Sequence, residues 1–125
     1  MLDDVLNIKL PSNDVPTNQA QRDVTAPPVW ELMSAAGDPA RWGILKELAK
    51  GDALSVQELA ARIKRSHNQT SKHLALLRAA GALVAVELPG SDGRKQYHAI
   101  AEAFRRAGSD GKTEIDYGTC VLRFP

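Results

Sequence analysis

The chain holds a single cysteine, Cys120, so no intrachain disulfide framework is open to it. No stretch approaches the roughly 20 apolar residues that a membrane span needs. The first ten residues, MLDDVLNIKL, carry acids where a secretory signal carries bases, and no long apolar run follows them. The expectation is a cytoplasmic protein without a membrane partner. Catalytic signatures are missing too. There is no HExxH, no phosphate-binding glycine loop, no serine nucleophile elbow and no paired-carboxylate pattern. A protein that is not an enzyme, with no cofactor and no metal, is expected.

Charge of one sign is scarce overall, at +1 over 125 residues, but it is unevenly spread. Residues 1–31 hold five acidic against two basic residues. Residues 62–95 hold seven basic residues (Arg62, Lys64, Arg65, Lys72, Arg78, Arg94 and Lys95) against two acidic ones. A basic stripe within a near-neutral chain points to nucleic acid better than total charge does. With 43% apolar residues, the chain has material for one globular core.

Residues 1–27 are rich in Pro, Asn, Gln, Asp and Thr and read as an extended arm. From Pro28 the punctuation turns helical. Pro28–Ala36 is a short helix ended by Gly37, and Asp38-Pro39 supplies an N-cap followed by proline at the first helical position. The second helix turns Trp42, Ile44, Leu45, Leu48 and Ala49 to a core and stops at Gly51. Ser55-Val56-Gln57-Glu58 and Ser66-His67-Asn68-Gln69 are both capping boxes, and Lys64 and Arg65 lie between the helices they open. Two short capped helices so close together predict a helix-turn-helix. Leu83–Leu88 and Arg94–Ile100, joined by a Gly-rich turn, predict a hairpin. Residues 101–106 add a helical turn, with Arg105 and Arg106 paired to Glu102 or Asp110. Residues 113–124 form one final strand, bulged at Gly118. The fold class is mainly α with a β-hairpin wing (α+β). The divisions are the arm, a domain over 28–106, and a C-terminal strand segment over 107–125 that is a candidate for dimerisation.

The segment SHNQTSKHL, Ser66 to Leu74, carries many hydrogen-bonding side chains and no carboxylate. On a helical wheel Thr70, Leu74 and Leu77 share a packing face with His73. His67, Asn68, Ser71, Lys72, Ala75 and Arg78 lie opposite. A polar N-terminal half and an apolar C-terminal half suit a recognition helix entering the major groove. Asn and Gln pair with adenine edges, Lys with guanine, and Ser with base or phosphate. Arg94 and Lys95 then position the hairpin on the backbone rather than read sequence.

Residues 38–100 resemble the winged helix-turn-helix of ArsR/SmtB-type bacterial repressors. The resemblance rests on Asp38-Pro39-x-Arg41, on Ser55-Val56-x-Glu58-Leu59-Ala60, on Ser71-x-His73-Leu74 before Leu77-Arg78-x-Ala80-Gly81, and on the basic wing ending at Tyr97. It implies that His67, Asn68, Thr70, Ser71 and Lys72 face DNA, with Arg94 and Lys95 on the wing. It also implies a homodimer that leaves its operator, expected to be palindromic, when an inducer binds; with the family's metal ligands absent, that control is open to an unknown small-molecule effector, a thiol switch, a partner or protein concentration alone. The candidate DNA-contacting residues are therefore Lys64, Arg65, His67, Asn68, Gln69, Thr70, Ser71, Lys72, Arg94 and Lys95.

The chain departs from the family where metal is sensed. The place of its paired-cysteine motif reads Ala53–Leu59, without a thiol, and the usual C-terminal dimerisation helix has no counterpart. Other residues have plainer readings. His73 and His98 are expected to be structural histidines bonded to neighbours, and His67 either contacts phosphate or is solvated. Trp30 and Trp42 are core or dimer anchors. Cys120 packs as a small hydrophobe, with a redox role as the alternative. The competing function is a winged-helix adaptor that binds a protein partner without reading DNA.

Overall fold

The computed structural model describes residues 25–88, 90, 95–108 and 112–125. The arm over residues 1–24 and Arg94, with most of the wing turn, lie outside the described residues.

Among the described residues four helices come first: α1 (Val29–Ala36), α2 (Pro39–Leu48), α3 (Val56–Ile63) and α4 (His67–Ala79). Their ends follow from local chemistry. The Asp38 carboxylate accepts from the N–H groups of Ala40 (2.9 Å) and Arg41 (3.1 Å), so α2 begins beside it. The Arg41 N–H bond and, after the cost of burial, that of Ala40 hold the Asp38 carboxyl below its ordinary range. Both capping boxes form as expected. Ser55 Oγ accepts from the Glu58 N–H at 3.2 Å, and the Ser55 N–H donates to Glu58 Oε1 at 2.9 Å. Ser66 Oγ accepts from the Gln69 N–H at 3.1 Å, and the Ser66 N–H donates to Gln69 Oε1 at 3.4 Å. Between these helices Lys64 takes a left-handed conformation at φ 58°, and the chain turns within three residues.

The core forms where these helices meet. Leu32 of α1, Ile44, Leu45 and Leu48 of α2, Leu59 of α3, and Leu74 and Leu77 of α4 are all buried in one cluster. Trp42 sits at its edge, its ring 4.5 Å from that of Phe124.

Two small antiparallel sheets follow among the described residues. The first holds β1 (Leu54–Ser55), β2 (Val84–Val86) and β3 (Tyr97–Ala99) in the order β1-β3-β2. Strand β1, which pairs Leu54 with His98, turns the expected hairpin into a three-stranded wing base. The second sheet holds β4 (Arg105–Ala107), β5 (Thr113–Asp116) and β6 (Val121–Phe124) as a meander, after a 3-10 turn at Glu102–Phe104. The single bulged strand expected over 113–124 is thus two strands with a third before them. Gly118 is no bulge. Its φ of +90° serves the turn between β5 and β6, where the Tyr117 N–H donates to the Cys120 carbonyl at 2.9 Å.

The meander is bound to the helical body. Ile115, Tyr117 and Phe124 join the helical core. The Tyr117 hydroxyl donates to the Ala82 carbonyl at 2.9 Å, and burial pushes its pKa up. On the outer face Glu114 is buried beneath Arg123 (2.7 Å) and Arg106 (3.7 Å), and Arg106 also meets Asp116 at 2.8 Å. Arg105 pairs with Glu102 at 3.9 Å as expected, whereas Arg106 pairs within the sheet.

His98 differs from its expectation. It is 1% exposed, and neither ring nitrogen has a hydrogen-bond partner among the described residues. Burial, with the Arg78 charge second, lowers its pKa to about 4. Above the ordinary value of 6.5 the ring is neutral in both folded and unfolded chains and contributes nothing. As pH falls below that, only the unfolded chain takes the proton, so stability is lost until the folded pKa is reached. The expected loss is about 3 kcal/mol. Urea titrations from pH 7 to 4 on wild type and His98→Leu measure it. Parallel pH profiles for the two proteins would refute it.

Candidate nucleic-acid interface

Helix α4 is held from below. Thr70, Leu74 and Leu77 face the core and are at most 1% exposed. His73 is half-buried, its Nδ1 3.1 Å from Arg41 Nη1. A guanidinium only donates, so Nδ1 is the acceptor in this contact. Arg41 Nε also donates to the Ala35 carbonyl at 2.6 Å, so α1, α2 and α4 are tied through one side chain. The expected structural role of His73 therefore has a named partner.

The other face of α4 is open. His67, Asn68, Gln69, Ser71, Lys72, Ala75 and Arg78 are all exposed, as are Lys64 and Arg65 in the turn before the helix. The first turn of α4 holds no acidic residue, so its free N–H groups and its dipole meet no competing carboxylate. Thr70 is a correction to the reading that faced it toward DNA. It is fully buried, and its hydroxyl donates to the Ser66 carbonyl at 2.8 Å inside the helix. Gln69 stays exposed, but the cap engages its Oε1 and leaves only its amide donors for a ligand. Among these residues Asn68, Ser71 and Lys72 stand on the open face with no such internal engagement among the described residues.

The wing base adjoins this surface. A hollow of about 260 Å³ is lined by Ser55, Val56 and Gln57 at the start of α3, by His67, and by Lys95 and Gln96 at the wing base. The exposed Lys95 and the start of α4 therefore border one concavity. Arg78 Nη1 donates to Gln96 Oε1 at 3.2 Å and links α4 to the wing. Sequence reasoning missed Gln57 and Gln96. Gln57 had one signal, its place just after a capping serine. Gln96 had none apart from its basic neighbours.

Backbone donors and cations of this kind can meet an extended polyanion, and exposed amide and hydroxyl groups of this kind can meet base edges. Cys120 lies apart, half-buried against the core. Among the described residues no group of three or more His, Cys, Asp or Glu side chains could hold a metal ion. No helix there is long and apolar enough to cross a membrane.

Comparison with known proteins gives the same surface a context. A family model for a helix-turn-helix domain matches residues 36–86. Among solved structures, the chain is similar to the homodimeric winged helix-turn-helix DNA-binding domain of Mb0332 from Mycobacterium bovis, a possible ArsR-family regulator. That match has 27% identity and a TM-score of 0.52 over 60% of this chain and 65% of the other. It is also similar to an ArsR-like transcriptional regulator from Rhodococcus sp. RHA1, with 31% identity and a TM-score of 0.51 over 60% and 66%. A third match is Rv0081 of M. tuberculosis, with 30% identity and a TM-score of 0.50 over 58% and 69%. The chain thus spans about two thirds of the length of these relatives. No curated protein matches it.

Proposed function

Since the chain belongs to the ArsR-type family of winged helix-turn-helix DNA-binding regulators, we propose that it acts as a homodimeric transcriptional repressor on a palindromic operator. One observation carries this reading. The exposed face of α4 is rich in donors, free of carboxylates and flanked by Lys64, Arg65 and Lys95, while its other face is locked into the core. Residues 28–106 are the DNA-binding domain in this reading. Asn68 and Ser71 read bases, and Lys64, Arg65, His67, Lys72 and the wing pair Arg94 and Lys95 hold phosphates. Lys72 also reaches guanine edges. Gln69 contributes through its amide donors. The two recognition helices of a dimer enter successive major grooves about 34 Å apart. A small-molecule effector releases the operator.

Fluorescence anisotropy on duplex DNA from upstream of the protein's own gene, against a random duplex at several salt concentrations, tests the proposal. The expected result is preference for the upstream DNA and a log–log salt slope near about −0.9 for each phosphate held. Failure to bind any duplex at low salt would sink it and would favour the adaptor reading.

A further inference from the structure

A hollow of about 300 Å³ lies where the end of α2 meets the C-terminal meander. Its lining includes Lys50, Gly51, Arg105, Arg106, Lys112 and Thr113, and no carboxylate among the described residues. The basic charges there are unevenly matched. Arg106 is engaged by Asp116 at 2.8 Å. Lys50, at 3.2 Å, shares Glu47 Oε1 with Arg62, at 3.3 Å. Arg105 is the least satisfied. A guanidinium offers five N–H donors. Arg105 Nη1 donates to the Gly51 carbonyl at 2.9 Å. Glu102 stands 3.9 Å from Nη2, beyond hydrogen-bond reach. Nε is buried and has no partner among the described residues.

We infer that this hollow binds a compact small-molecule anion of two or more charges, which draws Arg105 away from the Gly51 carbonyl. The inference rests on the reading of a DNA-binding regulator under effector control, and gives that effector a place and a chemical class. Chemistry selects an anion. A charged acceptor bonds a guanidinium about twice as strongly as a neutral carbonyl does, and takes two of its donors at once. Capping Gly51 occupies one donor of Arg105 and leaves the basic, carboxylate-free lining unexplained. Size selects a metabolite, since the hollow stands at the small end of ligand pockets, about 300–1,000 Å³. Position joins the hollow to the DNA face. Gly51 lies in the link between α2 and β1. Strand β1 ends at Ser55, the cap of α3, and pairs with β3 of the wing base, Leu54 against His98. Releasing Gly51 therefore loosens the link to the first helix of the helix-turn-helix and to the wing together. Anion and DNA must then weaken each other by one common factor.

Isothermal titration of the full 125-residue chain with inorganic pyrophosphate and with citrate, at constant ionic strength, tests the site. DNA anisotropy with and without each probe tests the coupling. Wild type is expected to bind at least one probe saturably, at about 1 mM or tighter, and to lose about tenfold in DNA affinity when it is bound. The stronger probe tells phosphate chemistry from carboxylate chemistry. Lys112→Ala, at an exposed position, is expected to keep DNA affinity and to weaken the probe about tenfold. Arg105→Met is expected to bind DNA several-fold more weakly and to ignore the probe. No saturable binding of either probe to wild type would overturn the inference. So would binding that both variants retain and the joint charge reversal of Arg65 and Lys72 abolishes, because the anion would then sit on α4. Binding in the hollow that leaves DNA affinity unchanged would overturn the coupling. A protein that takes up the probe there but holds no duplex at low salt would sink the DNA reading and leave the anion site standing.

Discussion

Reversing the charge of Lys72 and Arg65 together is expected to lower affinity for duplex DNA by about three orders of magnitude. Both side chains are exposed, and neither has an internal partner among the described residues, so they are free to meet phosphate. A hydrogen bond to a charged group contributes about 1.5–3 kcal/mol, and each decade of affinity is about 1.4 kcal/mol. Removing two such contacts and adding like-charge repulsion in their place reaches the stated loss. The salt dependence must fall with it, by about 0.9 in slope for each phosphate contact removed. Lys46→Glu is the control, since Lys46 is exposed on α2 and lies outside the proposed face. In the same titration Asn68→Ala and Ser71→Ala should lose more affinity on the preferred duplex than on a random one. If the double reversal binds like the control, the face assigned to DNA is the wrong one.

Leu74→Ala is expected to cost about 3 kcal/mol or more of folding stability. Leu74 is 1% exposed and packs in the cluster that joins α1, α2, α3 and α4. The missing carbons leave a cavity that neighbouring helices cannot fill without moving, and that adds to the lost transfer energy. A single domain holds only about 5–15 kcal/mol in total, so this one change removes a large share. Ser71→Ala, three residues earlier on the exposed side, should shift stability by less than about 0.5 kcal/mol. Urea unfolding separates the two: the midpoint falls for Leu74→Ala with an unchanged slope. A small effect at Leu74 would mean that α4 is not held in the core as described.

The helix ends were legible because capping is local. Asp38, Ser55 and Ser66 each bind N–H groups two or three residues on, and that spacing is written in the chain. The polar and apolar sides of α4 followed from the 3.6-residue period in the same way. The wheel also placed Thr70 correctly, against the resemblance. The C-terminal meander was not legible. Its strands are only three or four residues long, and Arg105-Arg106-Ala107 shows no β pattern of its own. Strand β4 exists because β5 pairs with it, Arg106 against Glu114, and no local propensity records that choice.

The two tryptophans mark the division most clearly. The sequence by itself determined four helices, three of them capped, a hairpin and a basic, carboxylate-free helix face, since each depends on neighbours within about one turn. It read both Trp30 and Trp42 as core or dimer anchors, and only Trp42 by helical spacing. The tertiary structure set them apart. Trp42 rests against Phe124, which lies 82 positions further along the chain and reaches it only through the folding of the meander. Trp30 has no such cover and stands in solvent beside a groove. Burial is decided by what distant segments bring to a side chain, and sequence spacing does not encode that.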